Sequence, residues 1–273
     1  MKNLVLYDKI YNITNKSQEK ETYVRYLKYL NEKTKGFSKT SIQIKKLRKF
    51  DKRFEILIDG PEELFVFNLI KKEIGSVNEF KDVEVGKTYK GTLIDVGKVG
   101  FGIFVDCAIL NPQVDVLLNL NVLREQLCAG KKKSSREIIK AYDFINHFPV
   151  EVKITEIDAE KHQIQGRFSD AFLGLYQKIL SEKLEGIFVS GATKNQFKKA
   201  LIKRGHLRDI ISVERHGFLE NIVILKEGTD APGIIAHIGK YLRNCKLSAI
   251  RHERIQKIVE GGIKNENNEP GED

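Results

Sequence analysis

The sequence predicts a multidomain α+β protein in which a five-stranded β-barrel lies between two α/β sandwich domains. Three observations lead to this prediction. The segment 85–106, VGKTYKGTLIDVGKVGFGIFVD, joins an alternating strand to a second strand that carries two phenylalanines among glycines. The segment 149–169, PVEVKITEIDAEKHQIQGRFS, has the pattern of two further strands. On both sides of this region, strand and helix patterns follow one another in the order β-α-β-β-α.

Residues 1–83 are predicted to form a ferredoxin-like domain. A first helix extends from Ser17 to about Lys33, because apolar residues recur there at three- and four-residue steps. A second helix begins around Pro61 and ends at Gly75, since proline favours the first turn of a helix and glycine its end. Strands are expected at Leu4–Tyr7, Ile42–Ile44 and Phe54–Ile58, with a possible short last strand near Val77–Val83.

Residues 84–169 are predicted to form the barrel. Five strands of this length indicate an OB-type barrel, and they are expected at Thr88–Val96, Gly100–Asp106, Val114–Leu118, Val150–Ile157 and His162–Phe168. An insertion at 119–148 separates the third strand from the fourth. It contains the basic loop Lys131–Lys133 and then a helix.

Residues 170–258 repeat the strand and helix order of the first domain after a connecting helix. The order β-α-β-β-α-β is that of a ferredoxin-like fold. Its elements are expected at Ile187–Val189, Thr193–Arg204, Ile210–Arg215, Ile222–Leu225, Asp230–Leu242 and Leu247–Ile250. The tail 259–273 is acidic and rich in glycine and asparagine, which predicts disorder.

The net charge of +10 is distributed unevenly along the chain. The segments 1–80, 81–184, 185–258 and 259–273 carry +6, +1, +7 and −4. The barrel is therefore nearly neutral, and the domains beside it are basic. A polyanionic partner explains this distribution, but so do ordinary solvated lysine-rich faces, and charge alone does not decide between them.

Several classes of protein are not indicated. No apolar run is long enough for a membrane span, and the N-terminus lacks the pattern of a secretory signal. Three scattered cysteines favour a reducing compartment, so we expect a cytoplasmic protein. The sequence contains no phosphate loop ending in Gly-Lys-Ser/Thr, no metal-binding histidine motif and no Gly-x-Ser-x-Gly elbow. We therefore expect a protein without a cofactor, a metal or a catalytic site.

The barrel segment resembles an S1 domain, the RNA-binding form of the OB fold. The resemblance covers residues 84–169 and rests on four stretches: Val85-Gly86, Phe101–Asp106, Val114–Leu123 and Val152–Asp158. The layout of the whole chain resembles an archaeal family of predicted RNA-binding proteins that carry an S1-like domain between two uncharacterised segments. That resemblance implies a cytoplasmic archaeal protein and brings no established activity.

The S1 resemblance implies that Phe101 and Phe104 stack on bases, although one or both could instead fill the barrel core. S1 domains also use a histidine after the third strand and a basic residue near the fifth. This chain has Asn119 and Gln163 at those places, which implies weaker binding. The residues predicted to contact RNA are Phe101, Phe104, Lys98, Asn119, Lys131, Lys132, Lys133, His162, Arg167, Lys199 and Lys203.

The function that these observations favour is RNA binding without catalysis. A structured RNA or a large ribonucleoprotein such as the ribosome suits basic residues spread over three domains. The alternative is an adaptor that binds a protein within a translation, transcription or RNA-processing complex, because the OB barrel serves either purpose. An RNA-processing enzyme is the third and weakest hypothesis.

Overall fold

In the computed structural model, which describes residues 1–11 and 13–260, the first domain has three strands and two helices. They are β1 (Lys2–Lys9), α1 (Lys16–Lys33), β2 (Ser41–Leu47), β3 (Arg53–Asp59) and α2 (Glu63–Glu73). The antiparallel sheet has the order β1-β3-β2. Tyr26 and Leu30 of α1 and Ile70 of α2 are buried in one core with Phe54 and Ile56 of β3.

The end of the first domain continues directly into the barrel. After α2, the Tyr7 amide donates to the Gly75 carbonyl and the Val77 amide donates to the Val5 carbonyl, both at 3.2 Å. These bonds form an isolated β-bridge between Leu6 and Ser76 at the place where a ferredoxin-like fold has its fourth strand. The next strand, β4 (Asn78–Glu79), pairs instead with the barrel. The short last strand predicted near 77–83 for the first domain is therefore reduced to a bridge there, and its residues 78–79 belong to the barrel sheet.

The barrel consists of five strands, as predicted. They are β5 (Thr88–Ile94), β6 (Gly102–Leu110), β7 (Val114–Asn119), β8 (Pro149–Asp158) and β9 (Gln163–Phe168). The strands pair in the order β6-β5-β8-β9-β7, and pairing of β7 with β6 closes the barrel. Gly166 permits tight packing inside it, because a Cβ atom there would lie 2.5 Å from Cγ1 of Val152.

The insertion between β7 and β8 contains two helices, of which the sequence predicted only the second. These helices are α3 (Leu120–Leu127) and α4 (Ser135–Tyr142). The first has little more than two turns and buries only Leu123 and Leu127. Its apolar side consists of Leu120, Leu123 and Leu127, and a pattern of little more than two turns is too short to indicate a helix, so the prediction missed it.

The third domain has the ferredoxin-like strand order β11-β12-β10-β13. Its elements are α5 (Asp170–Ser181), β10 (Glu185–Ser190), α6 (Lys194–Lys203), β11 (Ile210–Arg215), β12 (Glu220–Leu225), α7 (Ala231–Ile238), β13 (Lys246–Arg251) and α8 (His252–Glu260). The sequence did not predict α8. The tail predicted at 259–273 lies, beyond residue 260, outside the described residues. The architecture predicted from the sequence, a barrel between two α/β domains, is confirmed.

The barrel and the third domain share one hydrophobic core. Phe148, which immediately precedes β8, packs against Phe188 of β10, with ring centroids 4.6 Å apart. Ile255 and Ile258 of α8 are buried in the same cluster. The first domain contacts the third through Phe218, whose ring centroid lies 4.6 Å from that of Tyr26. The three domains therefore pack on one another and are not joined by linkers alone.

A buried ion pair joins the first domain to the barrel. Arg53 of β3 is 2% exposed, and its Nη2 donates to both carboxylate oxygens of Asp106 in β6, at 2.8 and 2.9 Å. Lys9 Nζ donates to the same carboxylate at 3.0 Å. Burial by itself would raise the pKa of Asp106, but the charges of Arg53 and Lys9 outweigh it and hold that pKa below its usual value.

Tyr11 contacts both of the other domains. Its ring stacks on His147 of the barrel insertion, with centroids 3.7 Å apart. Its hydroxyl donates to the carboxylate of Glu220 in β12 at 2.5 Å and lies 2.8 Å from Oγ of Ser190 in β10. Burial lowers the pKa of His147 to about 4, so the ring that stacks on Tyr11 is neutral near pH 7.

Candidate nucleic-acid interface

Two phenylalanine rings lie together on the outside of the barrel. Phe101 is 56% exposed and Phe104 is half-buried, and their ring centroids are 6.0 Å apart at nearly a right angle. In β6 the side chains of Ile103 and Val105 fill the core, so that of Phe104 points outward. Phe101 precedes the first residue of the strand, so the alternation of side chains along β6 does not fix the direction of its ring.

Gly102 allows the chain to make this turn. It pairs with Asn119, and a Cβ atom at Gly102 would lie 2.4 Å from the Leu118 carbonyl oxygen. Only glycine therefore fits where β6 begins beside β7. Two glycines flank Phe101, but only Gly102 is needed for this close approach. A Cβ atom at Gly100 would have open space around it.

A row of outward-facing side chains continues from the phenylalanines across the barrel. Leu117 of β7 lies opposite Phe104, and Gln165 of β9 lies opposite Leu117. Two residues further along these strands are Asn119 and Arg167. Because Arg167 is paired with exposed Lys153 of β8, two cations stand side by side beyond Asn119. Across the strands of this face, the side chains change from aromatic in β6 to Leu117 and Asn119 in β7 and then to basic in β9 and β8.

The side chain of Asn119 is engaged in a structural network. Its Oδ1 accepts from the Val122 amide at 3.0 Å and caps α3, while its Nδ2 donates to Oε1 of Gln165 at 3.1 Å. Gln165 donates in turn to Glu156 at 2.8 Å. Asn119 lies within the predicted interface, and its first role is to hold α3 and β9 in place beside the phenylalanines.

The basic loop before α4 lies beside the loop that carries Lys98. Ser135 Oγ, at the start of α4, donates to the Val99 carbonyl at 3.3 Å. Lys98 pairs with Asp95 at 2.6 Å. In the loop itself, Lys131 Nζ donates to the carbonyl of Val259 in α8, Lys133 pairs with Glu137 at 3.4 Å, and Lys132 is exposed.

The structure separates His162 from the phenylalanine face. His162 precedes β9, and Arg167 is five residues further on, which is about 16 Å along an extended strand. The ring of His162 makes an edge contact with Phe80, with centroids 5.5 Å apart. His162 therefore lies at the other end of the barrel from Phe101.

Lys199 and Lys203 are exposed on α6 of the third domain and belong to a different surface from the barrel face. The sequence also missed residues within the barrel face. Lys153 and Leu117 are placed on the barrel face only by the register of the strands, and neither residue belongs to a recognisable sequence motif. Their signal in the sequence is an outward position on an alternating strand.

Among residues 1–11 and 13–260, no group of three or more histidine, cysteine or acidic side chains could hold a metal ion. Over the same residues, no helix is long and apolar enough to cross a lipid bilayer.

Comparison with family models agrees with the observed organisation. Residues 83–177 match the model of the DUF2110 central domain, and residues 184–250 match that of the DUF2110 C-terminal domain. The chain matches the DUF2110 family over two consecutive domains. The DUF2110 central match contains the barrel and most of α5, and the DUF2110 C-terminal match contains β10 to β12 and nearly all of β13. A search of curated proteins gives no significant match.

Solved structures resemble the chain over limited regions. The uncharacterized protein MJ1198 from Methanocaldococcus jannaschii is 22% identical over 33% of this chain and 96% of that one, with a TM-score of 0.23. GSP13 from Bacillus subtilis is 20% identical over 32% and 56%, with a TM-score of 0.23. The alpha subunit of aIF2 from Pyrococcus abyssi is 9% identical over 63% and 98%, also with a TM-score of 0.23. At these TM-scores the likenesses carry no conclusion about function.

Proposed function

We propose that this protein binds RNA without catalysing a reaction, and that the phenylalanine face of the barrel is its main contact. The observation that carries the proposal is the exposed ring of Phe101 next to the half-buried ring of Phe104, on the same barrel face as the cations Arg167 and Lys153. An exposed aromatic ring offers a stacking surface to any base, and each stacked base contributes about 1–3 kcal/mol. A structured RNA or a ribonucleoprotein such as the ribosome is the proposed target class.

The cations supply the second part of the interaction. Lys153 makes no ion pair within residues 1–11 and 13–260, so it is available to a phosphate group. Arg167 pairs with Glu125, an exposed carboxylate, at 3.5 Å, and surface pairs of this kind are weak. A single strand with its bases on the two phenylalanines and its phosphates on these cations would satisfy both sets of groups.

The variant Phe101→Ala tests this proposal directly. We expect it to weaken binding of a fluorescein-labelled single-stranded RNA of mixed sequence by roughly 5- to 150-fold, which corresponds to the loss of one stacked base. The measurement is fluorescence anisotropy with the full-length protein. Because Phe101 is mostly exposed, its truncation removes little packing and the fold should be retained.

Phe65→Ala is the matched control, since Phe65 is 72% exposed but lies on α2 of the first domain. Its RNA affinity should equal that of the wild type. Equal affinities for the wild type and Phe101→Ala would contradict the stacking role. A wild-type protein that does not bind RNA would contradict the proposed function as a whole.

The apolar character of the face supports a second candidate function, a protein-binding adaptor. Leu117 lies next to Phe104, and the carboxylates of Glu156 and Glu125 lie near the cations, so the face also suits a mixed protein surface. The dependence of binding affinity on salt concentration distinguishes the two functions. The logarithm of the RNA affinity should fall linearly with the logarithm of the salt concentration, with a slope of about −0.7 for each phosphate contact, whereas the affinity of an apolar protein contact should change little.

A further inference from the structure

A second basic surface surrounds an exposed tyrosine on the third domain. Tyr241 ends the 3₁₀ turn after α7 and is 37% exposed. Three cations approach its ring. Lys203 Nζ lies 4.7 Å from the ring centroid, and the Arg204 guanidinium carbon and Lys240 Nζ each lie 5.4 Å from it. We call these four residues the Tyr241 cluster.

The positive charge of the cluster is not neutralised by nearby acids. Within residues 1–11 and 13–260, none of its three cations makes an ion pair. The nearby carboxylate of Asp209 is bonded to His206 Nδ1 at 2.9 Å instead. Three like charges around one ring repel one another. An anion bound between them would remove that repulsion, whereas the ring quadrupole of Tyr241 offsets only part of it.

The cluster borders a cleft between the first and third domains. Tyr241 and Arg243 line one side of this cavity of about 140 Å³, and Gln18 and Arg25 of α1 line the other. Gln196 and Thr193, at the start of α6, also line it. The side-chain amides of Gln18 and Gln196 suit base edges and Arg243 suits phosphate. The Thr193 hydroxyl is already bonded to Gln196, and Arg25 is paired with Glu21, which also lines the cavity.

We propose that the Tyr241 cluster and the adjoining cleft form a second RNA contact, in which Lys203, Arg204 and Lys240 bind the phosphates of a strand that passes Tyr241. This inference rests on the proposed function, and it assigns a defined RNA-binding site to the third domain. RNA fits better than an acidic protein because the site combines an exposed aromatic ring, guanidinium groups and neutral hydrogen-bonding groups. Arg204 is already oriented, since its Nε donates to the His237 carbonyl at 3.2 Å.

The test removes the three charges and leaves the barrel face intact. The variant is Lys203→Gln/Arg204→Gln/Lys240→Gln, and its binding to the same labelled single-stranded RNA is measured by anisotropy over a range of salt concentrations. If each cation contacts one phosphate, the slope of log affinity against log salt should become shallower by roughly 2. That change corresponds to a loss of roughly 100-fold in affinity at 0.1 M salt.

A second triple variant, Lys35→Gln/Lys39→Gln/Lys49→Gln, is the control for net charge. These lysines are exposed on the first domain, and they make no ion pair within the described part of the chain. The control should keep the wild-type slope to within roughly 0.5, because no phosphate contact is lost.

Each outcome decides the question. Equal slopes for the two triple variants, together with weaker binding by Phe101→Ala, would overturn the Tyr241 site and leave the proposed function standing. Equal losses of affinity for RNA and for polyglutamate in the cluster variant would show a general polyanion surface, and would overturn the assignment to RNA. A shallower slope for the cluster variant alone, without the same loss for polyglutamate, supports the inference.

Discussion

Replacing Asp106 by asparagine should lower the free energy of unfolding by about 3–5 kcal/mol. The substitution keeps the shape of the side chain but removes the carboxylate that accepts both hydrogen bonds from Nη2 of Arg53, which cannot reach water at 2% exposure. The carboxylate of Asp51 stays 3.9 Å from Nη1 of Arg53, but the closer partner is lost, and breaking a buried ion pair in this way costs about 3–5 kcal/mol. Lys9 is partly exposed and can turn toward solvent, so most of the effect should come from Arg53.

Urea unfolding followed by circular dichroism measures this change. Glu84→Gln is the matched control, because Glu84 pairs with Lys87 on the surface and exposed pairs contribute about 0–1 kcal/mol. Hydrogen exchange should show the loss first in β1, β3 and β6, where the first domain meets the barrel. A change below about 1 kcal/mol for Asp106→Asn would mean that the pair does not hold the two domains together.

Replacing Glu220 by glutamine should change the pH dependence of stability. Glu220 is buried between the first and third domains, and burial raises its pKa to about 8, with the nearby Asp8 carboxylate acting in the same direction. Near pH 7 the folded protein therefore holds this carboxyl in its protonated form, next to the hydroxyl of Tyr11. Glutamine mimics the protonated form at every pH.

The sign of the effect follows from the direction of the shift. Between the usual pKa of a glutamate, near 4.5, and the folded value of about 8, the folded state binds a proton that the unfolded state releases. The stability that Glu220 contributes is therefore complete below the lower value and is lost as the pH rises toward the higher one. One unit of pKa corresponds to ~1.4 kcal/mol, and we expect a total loss of about 2–4 kcal/mol.

Urea unfolding of both proteins at intervals from pH 5 to pH 9 checks this prediction. At pH 5 the wild type and Glu220→Gln should have similar stability, and at pH 9 the variant should be more stable by about 2–4 kcal/mol. Glu227→Gln, on the exposed surface of the same domain, should follow the wild type at every pH. Parallel curves for the wild type and Glu220→Gln would contradict the raised pKa.

Local patterns account for much of the fold. Most of β5, β7 and β9 alternates between buried and outward residues, and β6 is almost continuously buried, so the five barrel strands could be placed to within a few residues. The helix caps were readable as well, since Asp230 accepts from the Gly233 amide at 2.9 Å at the start of α7. The failures have a common cause. The pattern of α3 is short, and β4 pairs with another domain, so in both cases the decisive contacts are distant in sequence.

The candidate interface was only partly predictable. The motif around Phe101 and Phe104 identified the aromatic residues, because their composition and spacing resemble those of S1 domains. The strand register showed that Lys153 and Leu117 also lie on this face and that His162 lies at the other end of the barrel. The Tyr241 cluster could not be found in the same way, since it joins residues from the ends of two helices that are about forty positions apart.

The sequence by itself determined the three-part organisation, the strand alternation of the barrel and the basic character of the domains beside it. These properties depend on residues close together in the chain. Only the tertiary structure decided that the domains pack into one body and that Asp106 forms a buried ion pair with Arg53. It also decided that Glu220 is buried beside Tyr11. Burial and charge pairing are set by neighbours from other domains, and no local pattern records which neighbours those will be.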